Sequence, residues 1–157
     1  MVGSTVARRV ADRVRALVRT LRGCVAVGRA DDAGVTRSRS SAKAAGSWFE
    51  RLMADWLAAQ LDDDGIDRQV KVGARDIGDI RGVKAHGQRI AVECKEVARI
   101  ALPAWVREAE VERGNLDALA GVVIHKRTGT RKPEEQFVTM TAADFVALIT
   151  GAPRETP

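Results

Sequence analysis

Apolar residues recur at helical spacing in two stretches of the first half of the chain. The first stripe consists of Val6, Val10, Val14, Leu17, Val18 and Leu21. With arginines on the remaining faces, it predicts an amphipathic helix over residues 4–22. The next stretch, residues 29–45, is rich in Asp, Ser, Gly and Arg and predicts a linker or mobile loop. A second, largely buried helix is predicted from Ser47 to Leu61, followed by three solvated aspartates and the stop signal Gly65.

The pattern changes to short apolar segments after residue 65. Five predicted strands cover residues 66–72, 79–84, 89–95, 121–125 and 136–140. The second and third of these should form a hairpin around His86-Gly87. Between the third and fourth strands, a helix is predicted to open at Pro103 and to run to about Leu119. A final helix, capped by Thr141, is predicted to reach Ile149. The order predicts a mixed α/β domain with one central sheet.

Length and composition narrow the class of protein. The 157 residues fit one domain, and no apolar run approaches the ~18 residues of a membrane span. Arginines interrupt the N-terminal apolar residues, so the pattern does not match a secretory signal. Cys24 and Cys94 lack metal-ligand spacing, which favours reduced thiols in a cytoplasmic protein without a membrane partner.

The net charge of +5 is unevenly distributed. Residues 1–43 hold ten Lys/Arg against three Asp/Glu, whereas the remaining residues carry 16 basic and 18 acidic side chains. Two interpretations stay open: the basic arm binds a polyanion such as nucleic acid, or its arginines only solvate the outer face of a helix.

The predicted strand 89–95 carries the candidate chemistry. Alternate residues of a strand face the same side, so Glu93 and Lys95 project together while Val92 and Cys94 face the other way. The hairpin should bring Asp79, which follows the tight-turning Gly78, to the same end. Two carboxylates with waters and a substrate phosphate are a common way to hold Mg²⁺, and a lysine can stabilise developing negative charge.

Glu50 is a fourth candidate, because it falls inside the apolar arc of the helix that starts at Ser47. A carboxylate on the buried face of a helix needs a partner, and for Glu50 the metal site would be that partner. The alternative is an edge residue whose carboxylate extends to solvent.

These residues resemble the PD-(D/E)xK nuclease superfamily. The resemblance lies in Gly46-x-x-x-Glu50, Gly78-Asp79 and Glu93-Cys94-Lys95, together with the predicted helix–strand–strand–strand–helix–strand order. Within the superfamily, the chain is similar to the Holliday junction resolvase-like endonucleases of actinobacterial phages. It shares with them Leu102-Pro103-Ala104-Trp105, residues 108–115 and Ile124-His125-Lys126-Arg127. The resemblance covers residues 43–150 and implies a restriction-endonuclease-like core, with helices flanking a mixed sheet.

The resemblance also implies roles for individual residues. Asp79 and Glu93 would ligate Mg²⁺ or Mn²⁺ with the Cys94 backbone carbonyl, Lys95 would be the catalytic lysine, and Glu50 a supporting acid. The proline that precedes the aspartate in the superfamily is Gly78 here. The loop 72–78 lacks the serine that archaeal resolvases carry, a departure that bears on junction specificity.

Further charged and aromatic residues have two interpretations each. Four basic residues around Gly129 either grip DNA phosphates or form a solvated turn: Lys126, Arg127, Arg131 and Lys132. The predicted helix after Lys95 carries four charged residues with two interpretations: either one of them reaches the site, or all of them form a solvent-exposed outer face. These residues are Glu108, Glu110, Glu112 and Arg113. Core packing is expected for the three tryptophans Trp48, Trp56 and Trp105. His86 is expected to be exposed and His125 to be structural, outside the catalytic set.

The expected organisation is a basic arm (residues 1–42), a nuclease domain (43–150) and a flexible tail (151–157). The expected function is metal-dependent endonuclease cleavage of branched DNA by a homodimer, in host cytoplasm if the chain is phage-encoded. Two alternatives stay open: a nicking, repair or exonuclease enzyme of the same superfamily on non-junction DNA, and a non-catalytic DNA-binding accessory protein.

Overall fold

The computed structural model describes residues 39–70 and 76–154. The helices in this part of the chain are α1 (Arg39–Leu61), α2 (Leu102–Leu116) and α3 (Ala142–Thr150). The strands are β1 (Asp67–Arg68), β2 (Ile80–Arg81), β3 (Lys84–Ala85), β4 (Gln88–Lys95), β5 (Ala120–His125) and β6 (Phe137–Thr139), and a 3-10 helix covers Pro133–Glu135. The predicted helix over residues 4–22 and residues 29–38 of the predicted linker lie outside the described residues.

The strands form one mixed sheet, as the pattern predicts. Its order is β1-β2-β4-β5-β6, and β3 pairs with β4 off this path. Strands β4 and β5 run parallel, and the other pairs are antiparallel. Because β4 and β5 are parallel, their carboxyl ends lie at the same edge of the sheet, beside the start of β2 and of β6.

Helix α1 begins eight residues before the predicted start at Ser47, so the expected linker is wrong for residues 39–45. Its C-terminal end agrees with the sequence, since the helix stops at Leu61 before the aspartates. Asp62 has a positive φ of 50°, and Asp63 Oδ1 accepts a hydrogen bond from the Gly65 amide at 2.9 Å. The aspartates thus terminate the helix.

The predicted hairpin is confirmed, but its first strand is split into β2 and β3. Gly82 between them has a φ of +86°, a conformation that interrupts regular pairing. His86 and Gly87 form the turn to β4, both with positive φ, the geometry that two-residue hairpins favour. His86 is exposed as expected, and its Nε2 shares a hydrogen bond of 2.8 Å with the Leu148 carbonyl.

The core occupies both faces of the sheet. Ile90, Val92 and Cys94 of β4 pack with Phe49 and Met53 of α1. On the other face, Val123 packs under Trp105 and Ala109 of α2. Cys94 carries a free, buried thiol, in agreement with the expected reduced state.

Helix α3 is held by a buried carboxylate. The Thr141 hydroxyl accepts a hydrogen bond from the Asp144 amide, so the predicted N-cap is confirmed. Asp144 is fully buried, and Arg154 Nη1 lies 3.7 Å from its Oδ2. Arg154 also donates to Glu110 of α2. Within the expected tail, Arg154 therefore contacts two acids of the body, and residues 155–157 lie outside the described residues.

Within the described residues, no helix is both long enough and apolar enough to cross a membrane.

Candidate active site

The carboxyl end of β4 carries the two charged residues that the alternation placed on one face. Glu93 is buried, and its Oε1 accepts a hydrogen bond from Lys95 Nζ at 2.5 Å. Val92 and Cys94 point to the opposite face, into the core beneath α1. The predicted pairing of Glu93 with Lys95 on one side of the strand is confirmed.

Asp79 reaches the same end of the sheet from the chain segment before β2. Its Oδ2 accepts a hydrogen bond from the Cys94 amide at 2.9 Å, and its own amide donates to the Val92 carbonyl at 2.8 Å. Gly78 has a φ of +99°, and a Cβ there would lie 2.9 Å from the Val92 carbonyl oxygen. Glycine is therefore required at this turn, which brings Asp79 within hydrogen-bonding reach of Glu93.

Helix α2 adds two carboxylates to the cluster. Glu108 Oε2 lies 2.6 Å from Lys95 Nζ. Glu112, one turn later, is 4% exposed and lies within hydrogen-bonding reach of Glu93. The sequence left open whether one charged residue of this helix reaches the site, and two of them do. A signal for Glu112 existed, because it continues the buried stripe of Trp105 and Ala109 at spacings of four and three residues.

A close approach between α2 and β5 lets these carboxylates reach β4. A Cβ at Gly121 would lie 2.6 Å from the Ala109 carbonyl oxygen, closer than such atoms come in real proteins. Because Gly121 has no side chain, the backbone of α2 rests almost directly on the sheet. Glu108 and Glu112 then span the remaining distance to Lys95 and Glu93.

Burial and mutual repulsion perturb the acids of this cluster. Desolvation, followed by the charge of Glu93, raises the pKa of Asp79 to about 7. Desolvation also raises the pKa of Glu112 to about 7, and one buried oxygen of Glu112, Oε2, has no hydrogen-bond partner. The pKa of Glu93 is likewise raised by burial, although the hydrogen bond from Lys95 acts in the opposite direction. The site therefore carries more carboxylate than its lysine neutralises.

Lys95 is a permanent cation in this environment. Burial lowers the pKa of its ammonium, but the hydrogen bonds to Glu108 and Glu93 act in the opposite direction and outweigh it. The net pKa of Lys95 lies above its usual value. Its chemistry is accordingly that of a fixed positive charge, since a general base would have to lose a proton near neutral pH.

Glu50 lies beside the cluster and has its own cation. Arg68 donates to Glu50 Oε2 from Nε at 3.0 Å and from Nη2 at 2.6 Å. The negative charge of Glu50 still acts on Asp79, whose pKa it raises slightly. Of the four predicted residues, Asp79, Glu93 and Lys95 come together, and Glu50 lies beside them on α1, paired with Arg68.

The donor set at this edge suits a hard divalent cation. Among residues 39–70 and 76–154, no group of three or more His, Cys, Asp or Glu side chains is arranged to hold a metal ion. Mg²⁺, however, commonly takes one or two carboxylates and completes its shell with waters and substrate phosphates. Asp79 and Glu93 supply two adjacent carboxylates, and the orphaned oxygen of Glu112 faces the same excess of negative charge. A divalent cation would relieve that repulsion.

The basic residues around Gly129 divide into two kinds. The two lysines are in ion pairs: Lys126 Nζ lies 2.5 Å from Glu96 Oε1, and Lys132 Nζ lies 2.9 Å from Glu135 Oε1. The two arginines lie over aromatic rings, with Arg127 5.7 Å from the ring centre of Phe137 and Arg131 5.9 Å from that of Trp48. DNA contact by these four residues stays a prediction.

Two of the three tryptophans pack in the core as expected, and one does not. Trp105 is buried and Trp56 packs partly buried against the core, but Trp48 is 36% exposed, so core packing is wrong for Trp48. His125 has a structural environment, as expected. It is buried, its Nε2 contacts Thr139 Oγ1 at 2.9 Å, and burial lowers its pKa.

Comparison with protein-family models, with curated proteins and with solved structures finds no match for the chain.

Proposed function

We propose that the chain is a metal-dependent DNA endonuclease with the restriction-endonuclease-like core of the PD-(D/E)xK superfamily. The observation that carries this proposal is the convergence of Asp79, Glu93 and Lys95 at one edge of the β2–β4 pair. The raised pKa values of Asp79 and Glu93 add support, because acids held together by the backbone without enough cation are suited to binding a metal.

Asp79 and Glu93 would hold Mg²⁺ or Mn²⁺, with the Cys94 backbone carbonyl as a further ligand. When bound, such an ion supplies Lewis-acid polarisation of a phosphoryl oxygen and an activated water. Lys95 stays charged at neutral pH and stabilises the negative charge that develops on the phosphate during hydrolysis. Glu93 and Glu108 hold its ammonium from two sides, which fixes its position before substrate arrives.

The substrate and assembly follow from the resemblance. Branched DNA is the proposed substrate, and a homodimer is proposed because two symmetric strands of a junction need paired active sites. A host or cellular cytoplasm is the proposed location. A nuclease of the same superfamily on non-junction DNA is the second candidate, favoured by the absence of a serine from the loop 72–78.

The test is cleavage of a labelled four-way junction beside a matched linear duplex, with Mg²⁺ or Mn²⁺. Asp79→Asn keeps an oxygen for the Cys94 amide but removes the charge, so it should abolish cleavage. Asp55→Asn is the matched control, because Asp55 only forms an exposed ion pair with Arg51 on α1. Metal-dependent cuts confined to the junction support the branched-DNA proposal, and equal cutting of duplex supports the second candidate. If neither DNA is cut while both are bound, the chain is a DNA-binding accessory protein.

A further inference from the structure

Phe137 stands two strands away from Lys95 on the same face of the sheet. The register pairs Lys95 with His125 across β4 and β5, and His125 with Phe137 across β5 and β6. Directly paired residues project to the same face, and adjacent strands lie ~4.8 Å apart, which places the Phe137 backbone about 10 Å from that of Lys95. Phe137 is therefore close enough to Lys95 to contact nucleotides near one bound at Lys95.

The ring of Phe137 contacts a neighbouring ring and is half exposed. It meets the His125 ring at a centroid distance of 5.6 Å, and His125 in turn meets Trp105 at 5.5 Å. Even so, Phe137 is 50% exposed, because β6 is an edge strand of the sheet. The guanidinium of Arg127 lies over the ring, 5.7 Å from its centre. The result is a half-exposed aromatic ring with a planar cation over it.

A second pair of the same kind joins Arg131 of the loop before β6 to Trp48 of α1, the helix that packs on the opposite face of the sheet. Trp48, 36% exposed, carries the guanidinium of Arg131 at 5.9 Å. Aromatic faces and guanidinium planes are the protein groups on which unpaired nucleobases stack. Paired bases of a duplex present only their edges in the grooves, so this chemistry favours single-stranded over double-stranded DNA.

We propose that Phe137 with Arg127 forms a base-stacking platform that binds unpaired bases of DNA beside the cleavage site. The DNA substrate rests on the proposed nuclease function. The platform specifies that substrate further, as DNA whose strand is unpaired a few nucleotides from the scissile phosphate, as at a flap, a gap or the centre of an open junction.

The test measures binding of the full chain to a fluorescein-labelled single-stranded oligothymidine and to a labelled duplex of equal length, in EDTA. Phe137→Leu keeps an apolar residue but removes the stacking face, and it should weaken binding to the single strand by about 5- to 100-fold. Affinity for the duplex should stay within a factor of about two, because backbone charge dominates duplex binding. The matched control is Phe145→Leu, a similarly exposed phenylalanine (56%) on α3, which should bind both DNAs as wild type does.

Two further variants separate stacking from folding. Phe137→Trp retains an aromatic face and should restore single-strand binding, and Arg127→Lys retains charge without the planar guanidinium and should weaken it. Photo-cross-linking with iodouracil-substituted oligothymidine, followed by peptide mass spectrometry, should place the cross-link on Phe137. The proposal is overturned if Phe137→Leu binds the single strand as tightly as Phe145→Leu does, or if Phe137→Trp fails to restore binding while its urea unfolding midpoint matches wild type.

The outcomes also distinguish this proposal from the nuclease proposal. If the chain binds single-stranded DNA through Phe137 but cleaves no DNA, the platform proposal is supported and the nuclease proposal is contradicted. If the chain cleaves DNA in a metal-dependent way and Phe137→Leu binds the single strand as tightly as wild type, the nuclease assignment stands and the platform falls.

Discussion

Glu112→Gln should stabilise the metal-free protein at high pH. Glu112 is buried, one of its oxygens has no hydrogen-bond partner, and desolvation raises its pKa to about 7. A glutamate of an unfolded chain titrates near pH ~4.3. Between these values the folded state holds a proton on Glu112 that the unfolded state releases. The free energy of unfolding therefore falls as the pH rises from about 4.3 to about 7.

The size of the effect follows from the two pKa values. A difference of one pKa unit corresponds to about 1.4 kcal/mol, so ionisation of Glu112 costs the folded state at most about 4 kcal/mol near pH ~8. Asp79 and Glu93 titrate in the same cluster and share the repulsion, which reduces the part that belongs to Glu112 alone to about 1–3 kcal/mol. Glutamine has nearly the same shape and no charge, so the variant escapes this cost. Below about pH 4.3 both side chains are neutral and the two proteins should be equally stable.

The assay is urea unfolding in EDTA, followed by tryptophan fluorescence, at about pH 4.5 and about pH 8. Glu134→Gln is the control, since Glu134 is an exposed glutamate of the short 3-10 helix and its loss should change stability by less than about 0.5 kcal/mol. The reasoning is refuted if Glu112→Gln is no more stable than wild type at the higher pH. It is refuted equally if the variant gains the same free energy at both pH values, because ionisation would then not be the cause.

Three further stability predictions can be checked by the same unfolding measurement. Gly78→Ala should lower the free energy of unfolding by about 2–4 kcal/mol, because the added Cβ would collide with backbone atoms. Gly129→Ala, at a similar φ but with nothing within 4 Å of the added Cβ, should lower it by only about 1–2 kcal/mol. Equal losses for the two variants would contradict the steric argument. Arg154→Ala should cost about 3 kcal/mol by leaving the buried Asp144 carboxylate without its cation, and an unchanged midpoint would show that this pair is not stabilising. Thr141→Ala should lower the free energy of unfolding by about 1–2 kcal/mol, because α3 loses its N-cap; an unchanged free energy would show that the cap does not stabilise the helix.

Local periodicity predicts the regular elements well and their ends less well. The strands β4 and β5 and the capped helix α3 agree with the sequence to within one or two residues. The early start of α1 was missed because residues 39–46 consist of alanine, serine, glycine and two basic residues, which are compatible with a helix but leave no apolar stripe. The predicted strand 79–84 is interrupted because Gly82 has a backbone conformation that its neighbours alone do not reveal.

Some residues of the candidate site can likewise be predicted from local sequence, whereas others depend on tertiary packing. Asp79, Glu93 and Lys95 follow from strand alternation and hairpin pairing, both of which are local. The contribution of Glu112 depends on the rotation of α2 and on its close approach to Gly121, which only the packed structure fixes. The exposure of Trp48 is tertiary as well, since a helical wheel defines an apolar arc but not how far the sheet extends beneath it.

The ion pair between Arg154 and the buried Asp144 has a consequence for synthesis on the ribosome. The hydrogen bonds of Asp144 are made with Gly121 and Thr141, but its cation is ten residues further along the chain. Until Arg154 has emerged, a nascent chain that packs α3 against the sheet must bury an acid without its partner. We therefore expect the chain to reach its native stability only after residue 154 is translated, with the earlier elements waiting in a less stable, chaperone-accessible state.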